Sequence, residues 1–172
     1  LNLNGIDLKL KVVGRAFHES ESNYIDFMGI NDKVENLGRV SDEKLEELYS
    51  KAMLYVSTSL SEGFGLPLLE CMKYGTPMLL SDIPVYREVA GDAAIYFKAN
   101  DDESLADNIR LVYTDLNLIN DLIDKGRERV MLFDMKTTVT KTIELYKNIL
   151  SISYLQIYKK ICLMLPITHI NI

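Results

Sequence analysis

The chain has 172 residues, 48% of them hydrophobic and 26% charged, with 25 acidic against 19 basic side chains and a net charge of −6. That suits one domain, or one with a small addition, long enough to bury a core without disulfides or metal. The acidic balance argues against a general nucleic-acid binder, which carries a basic face, and the apolar content argues against extended disorder.

Leu8 to Val13 alternates and meets Gly14, which predicts a strand ending in a turn. Asn23 to Met28 reads as helix, and Val34 to Leu37 as a short strand stopped by Gly38. Ser41 is placed to cap a helix in which Leu45, Leu48 and Tyr49 share one face. Ala52 to Thr58 is apolar and β-branched, a buried strand; Ser59 to Leu66 is a loop with two glycines. Pro67 suits the first position of a helix to about Tyr74, ended by Gly75-Thr76-Pro77. Met78 to Leu80 is a further buried strand, closed by Ser81-Asp82, with Asp82 expected to cap the helix from Pro84 to about Ala90. Ala93 to Phe97 reads as a strand, and helices follow near 102–113, 116–131 and 135–150. Strands alternating with helices give βαβ units and a parallel sheet covered on both faces. Residues 151–172 differ in character and are read as a tail or interdomain helix; Tyr154, Tyr158, Lys159 and Lys160 there are more readily a packed tail than a membrane-facing patch.

Two cysteines, Cys71 and Cys162, have no paired spacing, so neither a disulfide framework nor a zinc site is signalled. Leu1-Asn2-Leu3-Asn4 begins without Met and without a basic region leading into an apolar run, so the sequence reads as a fragment with no signal peptide. No stretch reaches the roughly 18–20 apolar residues needed to span a bilayer. His18 and His169 carry no usable signal.

The chemistry lies in Ser61-Glu62-Gly63-Phe64-Gly65-Leu66-Pro67-Leu68-Leu69-Glu70, at the C-terminal end of a predicted parallel strand. In open α/β sheets ligands bind there. Gly63 and Gly65 allow unusual backbone angles and close approach, and Phe64, Gly65 and Leu66 offer N–H groups at a helix N-terminus that suits phosphate. An acidic protein can hold a diphosphate in this way without a basic patch. The loop can also fold so that Glu62 and Glu70 line one crevice, where two carboxylates accept hydrogen bonds from a hydroxyl-rich ligand. The residues alone leave a second reading open: a plain helix cap with two solvated glutamates.

With Glu62 and Glu70 separated by seven residues, Gly38-Arg39-Val40-Ser41 before them, and Gly75-Thr76-Pro77 and Glu88-Val89-Ala90-Gly91-Asp92 after, the chain resembles the retaining glycosyltransferases of GT-B fold, family 4 (glycosyl transferases group 1), over about residues 8–150. The resemblance implies a Rossmann-like, three-layer α/β domain: the C-terminal, nucleotide-sugar-binding half of a two-domain enzyme that lacks the N-terminal half here. Residues 1–150 would be that domain, missing its first strand–helix unit, and 151–172 the tail. Glu62 would contact the donor sugar and stabilise charge as the glycosidic bond breaks. Gly63 and the amides of Phe64, Gly65 and Leu66 would hold sugar and diphosphate, Glu70 the ribose diol, and the backbone of Val40 the nucleobase. The reaction would move a hexose, with mannose from GDP favoured, to a glycan or lipid-linked acceptor in polysaccharide synthesis, retaining anomeric configuration. The donor is substrate rather than cofactor, and no metal is required; no Asp-x-Asp motif is present. The expected setting is cytoplasmic, with peripheral contact at the inner face of the membrane left open. The family's diphosphate-neutralising Arg/Lys segment is not matched: Gly14-Arg15 has no following Lys, so that segment would lie upstream and the isolated chain would not turn over. The alternatives are a truncated, non-catalytic nucleotide- or partner-binding module and, ranked last, a glycogen- or sucrose-synthase-like enzyme.

Overall fold

Twelve regular elements alternate as the sequence pattern requires over residues 6–152, which the structure, a computed structural model, describes. They are β1 (Leu10–Val13), α1 (Glu19–Met28), β2 (Val34–Gly38), α2 (Asp42–Lys51), β3 (Tyr55–Ser57), α3 (Leu66–Tyr74), β4 (Met78–Ser81), α4 (Pro84–Ala90), β5 (Ile95–Phe97), α5 (Asp102–Thr114), α6 (Leu116–Val130) and α7 (Met135–Ile152). The chain falls into two compact units, Leu1–Met131 and Leu132–Ile172. Thus α7 belongs to the second unit. The tail beyond Ile152, with Tyr154, Tyr158, Lys159, Lys160, Cys162 and His169, lies outside the described residues.

Every strand pairing is parallel, in two sheets: β1 with β2, and β3-β4-β5 with β4 central. Parallel strands need crossover connections, and here helices supply them. All four residues of β4 are buried, as a strand covered on both faces should be. Leu79 of β4 meets Phe97 of β5 and Leu105 and Ile109 of α5, with Leu54, Val56 and Ile95 packed around them. Burial of each such side chain contributes about 1.5–3 kcal/mol.

Helix α3 is fixed on one side by its sequence periodicity. Leu68, Cys71 and Met72 fall at i, i+3 and i+4 and are all buried. Burial raises the pKa of the Cys71 thiol, which keeps it a protonated core residue, as expected. A Cβ at Gly126 of α6 would lie 3.5 Å from Met72 Cγ and 3.6 Å from Met72 Cα, so α6 crosses α3 closely where a side chain is absent. The helix ends at Gly75 in the left-handed region (φ +71°), where Thr76 N–H donates to Cys71 O at 2.8 Å.

The cap at Ser41 forms: its Oγ accepts from Lys44 N–H at 3.3 Å. The expected cap at Asp82 does not. Asp82 stands one residue ahead of the N-cap, Ile83, and Pro84 has no N–H to offer. Its carboxylate instead takes both Nε and NH2 of Arg87, at 2.7 and 2.8 Å, while that guanidinium lies 3.8 Å over the ring of Tyr96. Arg15 forms a two-pronged pair with Glu21 at 2.8 and 2.7 Å.

Candidate functional site

The loop 58–65 leaves the C-terminal end of β3 and runs into α3 at the edge where ligands bind open α/β sheets. Gly65 is the N-cap of α3 and takes φ +85°, ψ 55°, a left-handed conformation that favours glycine. The site is also too tight for a larger residue: a Cβ on Gly65 would lie 3.3 Å from Leu68 Cδ1 and 3.3 Å from Tyr86 Cε1. Gly63 differs from expectation. Its φ is not in the left-handed region, and a Cβ there would meet open space. Backbone freedom is therefore needed at Gly65, not at Gly63.

Pro67 brings no N–H to the helix end, and Leu68 N–H is used on Gly65 O at 2.9 Å. The amides left to meet a ligand at this helix end are those of Gly65 and Leu66. They carry the positive end of the α3 dipole. A cavity of about 340 Å³ opens beside them, lined by Tyr55, Glu62, Phe64, Gly65, Leu66, Pro67, Leu68 and Tyr86. Its volume is within the usual range for small-ligand sites. No Lys or Arg is among its lining residues.

Of the residues singled out from the sequence, Glu62, Phe64, Gly65 and Leu66 line one cavity. It does not place Glu70 or Val40 in that lining. Glu70 sits one turn further along α3 and is half-buried. Burial first, and then Glu70, raises the Tyr49 pKa well above that of a free phenol. Glu62 thus stands on the cavity wall, while Glu70 lies further along α3, outside that lining. Val40 follows β2 and is half-buried.

Two aromatic residues of the lining, Tyr55 and Tyr86, are not singled out by the sequence pattern. Tyr55 lies on β3, two residues before Ser57, and Tyr86 on α4. Ser57 Oγ and the Tyr86 hydroxyl share a buried hydrogen bond of 2.6 Å, which joins β3 to α4 under Gly65. Burial raises the pKa of Tyr55, with Cys71, Tyr86 and Glu62 adding to the effect and Ser57 opposing it. Period-two alternation could have given Tyr55; nothing local marks Tyr86. Among the described residues, no group of three His, Cys, Asp or Glu side chains could hold a metal ion, and no helix is long and apolar enough to cross a membrane.

This fold is that of GT-B glycosyltransferases, of which the chain matches part. The sucrose-phosphate synthase of Thermosynechococcus elongatus superposes with a TM-score of 0.76 at 26% identity, over 84% of this chain and 39% of that one. The model of the family described as "Glycosyl transferases group 1" matches residues 1–129, and the chain belongs to that family. Among curated relatives, the O-antigen chain mannosyltransferase RfbU of Salmonella typhimurium is 37% identical over 105 residues, 61% of this chain and 29% of that protein. The GDP-mannose:cellobiosyl-diphosphopolyprenol alpha-mannosyltransferase of Xanthomonas oryzae is 31% identical over 157 residues, 86% of this chain and 40% of that protein. The chain therefore spans less than half the length of either.

Proposed function

We propose that the chain is the C-terminal, donor-binding part of a retaining, family 4 glycosyltransferase that transfers mannose from GDP-mannose to a glycan or lipid-linked acceptor in polysaccharide synthesis. The observation that carries this reading is the N-terminus of α3, capped by left-handed Gly65, opening on a cavity with Glu62 in its wall. Mannosyltransferases among the relatives, one of them named for GDP-mannose, support the choice of sugar and nucleotide. The donor's diphosphate and sugar lie against the amides of Phe64, Gly65 and Leu66. Glu62 contacts the sugar hydroxyls and stabilises the positive charge that develops as the anomeric bond breaks. The departing diphosphate helps to take the acceptor's proton, so the reaction needs no His or Ser nucleophile and no metal. Glu70 accepts from the ribose diol, and Val40 meets the nucleobase through its backbone. The protein works at the cytoplasmic side of the membrane, on lipid-linked or polysaccharide acceptors.

The sheet order supports a further strand in the whole protein. Two separate parallel sheets, β1-β2 and β3-β4-β5, are what the doubly wound strand order leaves when its first strand is taken out. That strand and its helix bring the Arg/Lys segment that neutralises the diphosphate, so this chain alone binds donor weakly and does not turn over.

The test is transfer by the full-length protein, supplied with GDP-mannose and a lipid-linked glycan acceptor, with the product's linkage read by NMR. An α-linked mannose supports the reading. A β-linked product overturns retention, and nucleotide binding without transfer leaves the non-catalytic module in its place. Glu70→Ala is expected to weaken nucleotide binding by about 1–3 kcal/mol, the cost of a lost charged hydrogen bond. Isothermal calorimetry with GDP checks this, and unchanged affinity removes Glu70 from the site.

A further inference from the structure

Glu62 is an exposed, long-chain carboxylate on a loop that also carries Gly63 and Gly65. Such a side chain has many rotamers available, and a group that meets a transition state is useful only when it is held in place. Two hydrogen bonds restrict it. The Ser59 hydroxyl donates to Glu62 Oε1 at 2.8 Å. The Ser81 hydroxyl donates in turn to the backbone carbonyl of Ser59. Ser81 is fully buried and is the last residue of the central strand β4. That strand end is itself fixed, since the next residue's amide, Asp82 N–H, donates to Phe97 O on β5 at 2.9 Å. Ser59 is thus attached to the sheet through its carbonyl and to Glu62 through its hydroxyl. Glu62 Oε1 takes this contact, and Glu62 is part of the cavity's lining.

We infer that Ser59, held by Ser81, is a positioning residue that sets the orientation of Glu62 towards the donor sugar. The inference rests on the role given to Glu62 above and adds the residue that makes this role geometrically possible. Ser59 does not touch the reacting atoms. Its removal acts through Glu62, on the transition state more than on ground-state binding, because the diphosphate is held by backbone amides that Ser59 does not contact.

The experiment uses the full-length protein and measures GDP released from GDP-mannose in the presence of acceptor, together with the thermal midpoint of each variant. Ser59→Ala is expected to lower kcat about tenfold, as expected for a mis-set catalytic group, with the donor KM and the midpoint near those of the parent. Ser59→Thr, which keeps the hydroxyl, is expected to recover most of the loss. In a Glu62→Gln background, Ser59→Ala is expected to produce no further fall. An unchanged kcat in Ser59→Ala, with Glu62→Gln inactive, overturns the positioning role and leaves the reading of Glu62 standing. A loss in Ser59→Ala that appears equally in KM, or that adds in full to that of Glu62→Gln, also overturns it. Normal turnover in Glu62→Gln overturns the reading of Glu62, and the inference with it.

Discussion

Glu62→Ala is expected to lower the kcat of the full-length protein by at least about 10²–10³-fold, the scale seen when one preorganised charge-stabilising group is removed. The donor KM should change little, because the amides of Gly65 and Leu66 and the α3 dipole remain. This split follows from the geometry. Glu62 stands on the cavity wall, exposed and away from the buried core, so its loss does not loosen the fold. Its negative charge opposes the donor diphosphate in the ground state and becomes favourable only as positive charge grows on the sugar. An interaction made only in the transition state appears in kcat. Steady-state kinetics with GDP-mannose over a range of concentrations checks it. A variant that loses donor affinity but keeps kcat contradicts the assignment.

Leu79→Ala is expected to be the most damaging change to stability, at about 2–5 kcal/mol. Leu79 is fully buried in the central strand, among Phe97, Leu105 and Ile109. Its replacement leaves a cavity between β4, β5 and α5 that rigid neighbours fill only in part. The thermal midpoint should fall by about 5–15 °C, read by circular dichroism. A loss under about 1 kcal/mol would show that β5 and α5 collapse onto the gap, and that this cluster is not the centre of the core.

Much of this architecture can be seen in the sequence where Pro and Gly punctuate it. Helix α4 runs from Pro84 to Ala90, as predicted, because Pro84 fixes its first turn and Gly91 its end. Helix α3 is clear for the same reason, between Pro67 and Gly75. Elsewhere the ends are set by contacts the pattern does not show. Helix α1 begins at Glu19 instead of Asn23, because Glu21 accepts from His18 N–H at 2.7 Å and pairs with Arg15, so a polar segment with no apolar periodicity starts the helix. Strand β3 is shorter than Ala52 to Thr58, since Ala52 N–H still donates to Leu48 O and closes α2.

The candidate site divides in the same way. Glu62, Phe64, Gly65 and Leu66 are neighbours in sequence, and a strand–loop–helix turn brings them together whatever the rest of the chain does. Tyr55, Ser59, Ser81 and Tyr86 belong to the same region through strand pairing and the docking of α4, which are long-range facts. Glu70 belongs to the same stretch of sequence, but one turn of α3 carries it outside the cavity's lining.

The most direct test is a titration of the ¹⁵N-labelled chain with GDP, followed by amide NMR, which detects weak binding as well as strong. The account predicts that the largest shifts fall on the amides of Phe64, Gly65 and Leu66, with a smaller change at Val40. No shift at millimolar GDP, or shifts centred away from the N-terminus of α3, would contradict the claim that this helix end is the donor site.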